Sequence, residues 1–567
     1  MSGLVRRGAP IILAAAALGV VALASISAVR APVTTVTSAN ADVDVEHYAF
    51  RLSLSDESDV IEGVATIRLA ARRDGVAAFE LDLVGGAANE RGMEVTSVSV
   101  SDAVPATGGI PGAGAVPTGD DVEFAHEDDV LRITTPHPLD SGERVVVEVA
   151  YRGIPGDGLI IGTNRHGART FFGDNWPNRA RHWLPSVDHP SDKATVEWIV
   201  EAPSHYQVVG SGAKVEETDL AGGRRVTHWR TDVPLPTKVM VIGAARFAVD
   251  HVRDVHGIPV TSWVYPEDRE AGFSDFSRAA DILDYFITHI GEYPYEKLAN
   301  VQSTTRYGGM ENASNIFYSE NAVTGTGSNE GLLAHEIAHQ WFGDSVTELD
   351  WHHIWISEGF ATYFTQLWFE HVYGRERMNT GLRAQRNAIV AYADRRPDSP
   401  VVDTTIVDLN DLLSTNSYQK GGWVLHMLRR EVGDEAFREG IRNYYADNRD
   451  GSALTSDLRN AMEEATGKSL AWFFDQWLRS PGQPMLDVSW SNAGDDRVTL
   501  VVTQTQDWSA FRFPLDVRFS NGDWSEVRTV EVTGQREEFS LTLPGAPTEA
   551  VLDPAVWLLH AGAIEQR

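Results

Sequence analysis

From Asp42 to about residue 247, apolar and polar positions alternate with a period of two. HYAFRLSL (47–54), VATIRLAA (64–71) and VVVEVAYR (145–152) each place their apolar residues on one side of an extended chain. Strands of that pattern pair into a half-buried antiparallel sheet, so a large β domain is expected over 45–247, with 32–44 as a linker before it. A Gly/Pro/Ala-rich run from Ala103 to Gly119 breaks the alternation and reads as a loop. Between 248 and 482 the pattern turns helical. FSRAADILDYFITHIG (276–291) predicts an amphipathic helix. YPYEKLANVQST then reads as a strand leading into GGMEN (308–312). After Pro484 the period of two returns in LDVSW, RVTLVVTQTQ, FPLDVRFS, RTVEVT and FSLTLP, followed by AVLDPAVWLLH. About seven short strands with turns between them predict a small β-sandwich over 483–567. The whole is an α+β multidomain chain.

The helical middle carries candidate chemistry in AHEIAHQWFGD, Ala334 to Asp344. His335 and His339 are four apart, so on a helix both imidazoles leave one face a turn apart and can reach a single ion. Glu336 cannot lie in line with both and is placed to hold a water beside the ion. This is the H-E-x-x-H arrangement, with zinc as the default metal and the Glu as general base. A catalytic zinc takes three protein ligands and keeps one position open. Glu358 in WISEGFATYF, nineteen residues after His339, is placed to be the third. It opens a second helical pattern (Phe360, Phe364, Leu367, Trp368), which can pack antiparallel to the first. The first helix is expected to begin near Ser328 as its N-cap. Leu332, His335, His339 and Phe342 share one face and Leu333, Ile337 and Trp341 another, so this helix should be buried. A ligating His usually gives its other N–H to a carboxylate or carbonyl, and Asp344, Glu348 and Asp350 are candidates.

Composition narrows the setting. At 567 residues and 43% apolar content, the chain can bury several cores, in about three or four domains. A net charge of −32 argues against nucleic acid and anionic membrane surfaces as partners. Arg6 and Arg7 precede an uncharged stretch from Ala9 to Val29, the order of a secretory signal, so 1–31 reads as an export leader. Residues 9–29 are also long enough to span a bilayer, which makes an uncleaved membrane anchor the alternative. Either way the body is expected outside the cytoplasm, secreted or at the cell surface. The absence of cysteine fits: the fold needs no disulfide and carries no thiol to oxidise.

HEIAHQWFGD, the spacing to Glu358, and GGMEN at Gly308 to Asn312 together resemble the M1 family of zinc aminopeptidases, the gluzincin group that includes leukotriene A4 hydrolase. NSYQKGGWVLHML around Tyr418 and FFDQWLRSPGQP (473–484) add to the similarity, and weaker matches extend it over most of the chain after residue 45. The resemblance implies an N-terminal antiparallel β saddle, a thermolysin-like, mostly helical catalytic domain and a C-terminal β-sandwich. It implies one Zn2+ per chain on His335, His339 and Glu358, and peptides with a free N-terminus as substrates. It implies that Glu311 pairs with the substrate α-ammonium while Gly308, Gly309, Met310 and Asn312 line the peptide. A carboxylate fixed at one distance from the metal would restrict cleavage to the first peptide bond. The resemblance further gives Tyr418 the oxyanion to stabilise and Glu336 the proton to move; Lys420, in the same motif, reads as structural. Family members place a Gln or Glu just upstream of RARHWLPSVDHPSDKATVEWIV (179–200) to help hold the amine. This chain has FFGDNWPN there, so Asp174 or Asn175 would have to substitute. Many members continue into a long helical domain that closes over the active site. The sequence ends without one, so a more open cleft with a broader peptide range is expected, and epoxide hydrolysis is disfavoured. The alternatives to aminopeptidase action are a zinc endopeptidase of the same class and a non-catalytic exported peptide-binding protein.

Overall fold

The computed structural model describes residues 40–86, 91–102 and 119–567. The leader or anchor expected in 1–31, most of the linker 32–44 and all of the loop before Gly119 lie outside the described residues.

In the strand Val43–Ser53, Val43 and Val45 face the core before a bulge at Val45–His47, and Tyr48, Phe50 and Leu52 face it after. The bulge shifts the alternation by one residue without exposing an apolar side chain. This strand lies inside an eight-stranded sheet with the order 213–220, 224–236, 193–203, 43–53, 61–71, 144–154, 92–102, 120–121. The pairing is antiparallel except at its centre, where Val43–Ser53 runs parallel to Lys193–Pro203. Parallel neighbours need a long crossover, and here it is all of the chain between the two strands. Phe50, Trp198 and Trp183 stack in sequence behind this pair, with ring centroids 5.1 and 5.7 Å apart.

The middle opens with a five-stranded sheet in the order 248–255, 258–264, 298–303, 315–319, 309–310. Its short edge strand, Gly309–Met310, pairs antiparallel with Asn315–Ser319 and so delivers Glu311 at the end of the sheet. The helices Glu330–His339, Trp355–Tyr373, Arg375–Arg395, Gly421–Val432, Asp434–Asn448 and Thr455–Thr466 follow. The last part of the chain forms a four-stranded and a three-stranded sheet, joined by Trp490 packing against Phe519. The α+β multidomain architecture is thus a β-rich N-terminal body, a helical centre and a β-rich C-terminal body. No helix among the described residues is long and apolar enough to cross a membrane.

Buried lysines join the first two bodies. Lys193 donates to the carbonyls of Asp344, Ser345 and Gly451 at 3.0, 2.8 and 2.9 Å. Lys238 pairs with Glu348 at 2.5 Å, both fully buried. Lys297 donates to the Gly210 carbonyl and to Ser314 Oγ at 2.7 and 2.9 Å. The Lys193 and Lys238 bonds and the Lys297–Gly210 bond cross between the N-terminal and middle bodies, while the Lys297–Ser314 bond lies within the middle one.

Candidate metal centre

The helix bearing the two histidines runs from Glu330 to His339, one residue later than a Ser328 cap would give, with Asn329 at the N-cap position. Ser328 is engaged elsewhere, accepting from the Thr326 hydroxyl at 3.0 Å. The preceding turn is organised by buried Asp275, whose carboxylate accepts the backbone N–H groups of Thr324, Gly325 and Gly327 at 2.6–2.7 Å. Leu333, Ile337 and Trp341 are fully buried, as the pattern of the helix requires.

His335 Nε2 and His339 Nε2 are 3.1 Å apart, and Glu358 Oε2 lies 3.3 and 3.2 Å from them. Tetrahedral zinc bonds of about 2.05 Å give a ligand–ligand edge of about 3.3 Å, so the three atoms already stand at the spacing of one face of such a site. His339 Nδ1–H donates to the Phe342 carbonyl at 3.0 Å, which leaves its Nε2 as a lone pair facing the other two atoms. The outer partner is therefore a carbonyl and none of the three carboxylates considered. Asp344 accepts from Gln340, Glu348 holds Lys238, and Asp350 pairs with His352. Glu358 Oε2 is buried and meets no hydrogen-bond donor, while its Oε1 accepts from the Tyr418 hydroxyl at 2.8 Å. Two imidazoles and an orphaned carboxylate oxygen fit a zinc ion.

Gly359 brings the parts together. A Cβ there would lie 2.9 Å from the backbone of Gly421, so only glycine lets the Glu358 helix and the helix after Tyr418 approach this closely. Tyr418 itself sits in a π-helical turn, Asn416–Lys420, with its ring stacked on His335 at 5.9 Å. Burial and the Glu358 carboxylate raise its hydroxyl well above the ordinary range, so it remains an O–H donor. Lys420 is buried in the same turn, and burial lowers its ammonium to about 7.

The electrostatics of the centre call for cations. Glu311, Glu336, Asp344, Glu348 and Glu358 are five buried carboxylates, and the ammonium groups in their midst are Lys193 and Lys238. Burial, reinforced by Glu311 and Glu358 against the pull of His339, pushes the Glu336 carboxyl well above its usual range. Burial opposes a charge on His339, yet Glu358 and Glu311 raise that imidazole to about 10. Without a metal the centre therefore takes up protons. A bound dication would take the place of those protons.

Glu311 is the second notable carboxylate. Its oxygen, one of Glu336 and a ring nitrogen of His339 lie within 4.8 Å of one another. It is 7% exposed, and its carboxylate has no hydrogen bond or ion pair among the described residues. The nearby Lys238 is already held by Glu348. Gly309, two residues before it, packs on Glu336: a Cβ there would stand 2.2 Å from Glu336 Oε1. Of the rest of GGMEN, Gly308 is exposed, whereas Met310 and Asn312 are buried. Neither polar atom of the Asn312 amide finds a partner.

The N-terminal segment contributes no comparable group. Asn175 donates to the Thr237 and Met240 carbonyls at 3.0 and 2.6 Å and accepts from Trp183 Nε1 at 2.8 Å. Asp174 is fully buried and bonded to Arg179 Nη2 at 2.9 Å. Both are engaged by the protein and fully buried. Trp176, next to them, instead packs edge-on between Tyr307 and Trp351. The lysines of the seam, Asp275 and Gln340 went unforeseen. One signal was available: the chain has six lysines beside 42 arginines, and three of the six lie in this seam.

Comparison with known proteins agrees with this geometry. The model of the peptidase family M1 domain matches residues 276–477, and that of the peptidase M1 N-terminal domain matches 44–239. The probable aminopeptidase 2 of Sulfurisphaera tokodaii is 26% identical over 377 residues, which cover 64% of this chain and 46% of the relative. Glutamyl aminopeptidase of Sus scrofa is 27% identical over 329 residues, covering 56% of this chain and 35% of the relative. The chain thus spans less than half the length of either relative. The crystal structure of an M1 zinc metallopeptidase from Deinococcus radiodurans shares the fold, with a TM-score of 0.65, 24% identity, and coverage of 80% of this chain and 98% of that one.

Proposed function

The chain belongs to peptidase family M1, and from that premise we propose a zinc-dependent aminopeptidase that removes N-terminal amino acids from peptides. The observation that carries the reading is Glu311, a buried carboxylate without a partner beside the metal centre. A carboxylate with no hydrogen-bond donor of its own can accept a substrate α-ammonium in a charge-assisted hydrogen bond. A bound zinc, one per chain, supplies a water of near-neutral pKa and a Lewis acid for the scissile carbonyl. Glu336, beside the metal ligands on the same helix, takes the proton from the attacking water and returns it to the leaving amine. Tyr418 turns its hydroxyl from Glu358 to the carbonyl oxygen as negative charge develops there. Gly308 and the Gly309 backbone leave room for the peptide beside Glu336, and Glu311 sets which bond is cut.

An endopeptidase with the same ligands would give Glu311 no ammonium to bind, and a binding protein would need neither Glu336 nor Tyr418. Digestion of one short peptide by the zinc-loaded protein, with its N-terminus free or acetylated, separates these by mass spectrometry. Sequential loss of single residues from the free peptide alone is expected; equal internal cleavage of both forms contradicts the reading. We also place the catalytic body outside the cytoplasm, on the leader-like pattern of residues 1–31. Activity confined to the cytosolic fraction would reject that placement.

A further inference from the structure

We infer that Gln340 is the strut that fixes the amine-binding carboxylate relative to the metal centre, and so is a positioning residue for cleavage at the first peptide bond. The inference rests on the role given to Glu311 above. Gln340 follows His339 directly and its side chain is fully buried. Its Nε2 donates to the Glu311 carbonyl at 2.7 Å and to Asp344 Oδ2 at 2.9 Å. Its Oε1 accepts from the Ser314 N–H at 2.8 Å and from the Tyr293 hydroxyl at 3.2 Å. Both donors and both lone pairs of the amide are used, and two of the four bonds grip opposite ends of the turn 311–314.

That turn needs an external brace. Ser314 has φ 64°, in the left-handed region that non-glycine residues avoid, and the strand leading into the turn is two residues long. On its other side the turn is pinned by Lys297 Nζ and the Gly212 N–H, both bonded to Ser314 Oγ at 2.9 Å. Gln340, the residue next to the metal ligand His339, ties the turn to the metal-bearing helix. A displacement of about 1 Å at such a site can cost on the order of a hundredfold in rate, so the strut bears directly on selectivity.

The test measures amine preference: the ratio of kcat/KM for an aminoacyl anilide to that for the same anilide without its α-amino group. Zinc-loaded parent, Gln340→Met, Gln340→Glu, Glu311→Gln and the Glu311→Gln/Gln340→Met double variant are compared. Met keeps the volume and loses all four bonds; Glu keeps the shape and loses the donor to the Glu311 carbonyl. Gln340→Met is expected to lower amine preference roughly ten- to a hundredfold, mainly through KM, with zinc content unchanged. In the Glu311→Gln background it should lower that preference no further. Full amine preference in both Gln340 variants, with Glu311→Gln abolishing it, overturns the inference and leaves Glu311 in place. Full preference in Glu311→Gln overturns the role of Glu311 and the inference with it. Should Gln340→Met fail to fold, Gln340→Glu decides by the same comparison.

Discussion

Asp174 and Glu311 are both buried carboxylates, and both are candidates to hold a substrate amine. Their surroundings separate them. Asp174 is bonded to Arg179 and lies close to Arg306, and Asn175 beside it uses its donors and its acceptor on the protein itself. No hydrogen-bond donor among the described residues reaches the Glu311 carboxylate, and the nearby Lys238 is held by Glu348. Buried polar groups are normally satisfied, so an open carboxylate beside a metal site points to function, while one engaged by arginine points to the scaffold.

The comparison can be broken or sharpened by substitution. The largest effect is expected from Glu336→Gln, which should retain zinc and lower kcat by roughly 10²- to 10⁴-fold in steady-state assays with a free peptide. Substantial residual turnover would remove Glu336 from its role as base. Tyr418→Phe deletes one oxyanion donor and should lower kcat by about 10²- to 10³-fold with KM little changed. Glu311→Gln removes a charged hydrogen bond of about 1.5–3 kcal/mol, so kcat/KM for a free peptide should fall roughly ten- to a hundredfold. Asp174→Asn should leave amine preference as it is and instead lower the thermal midpoint, by about 1–3 kcal/mol of stability, because Arg179 loses its buried partner. If Asp174→Asn changed amine preference as much as Glu311→Gln, the distinction between the two residues would be lost.

The smallest effect on the comparison is that of pH on stability. Burial holds His47 at about 4, and His426 and His560 at about 3, each below the ordinary 6.5. Between those limits the unfolded chain binds more protons than the folded one. Stability from these groups is full above about 6.5 and is lost as the pH falls towards 3. Burial holds Asp192 at about 7 and Asp553 at about 6, which acts in the opposite sense over the same range. The histidine contribution is therefore read as a fall in the thermal midpoint of the parent relative to His426→Asn between about pH 7 and 4.

Much of this was legible in the sequence because the relevant signals are local. The i, i+4 spacing of His335 and His339 needs only a helix, and the alternation in 47–54 or 64–71 needs only a strand. Glu358 was reachable because a second amphipathic pattern begins beside it. The rest depends on contacts distant in sequence. The parallel pairing of Val43–Ser53 with Lys193–Pro203 joins segments separated by most of a domain. Asp174 reads as available until Arg179 folds back on it, and Ser328 reads as a cap until Asp275 claims the turn before it. Gln340 gives no sign of its role, since its partners are backbone groups at positions 311 and 314.

The most direct test is calorimetric. A short peptide and its counterpart lacking the α-amino group are titrated into zinc-loaded Glu336→Gln protein, and into the same protein carrying Glu311→Gln. The account predicts that the amine-bearing peptide binds at least about tenfold more tightly when Glu311 is present, and that the advantage disappears with Glu311→Gln. Equal affinity of the two peptides for the protein with Glu311 intact would contradict it.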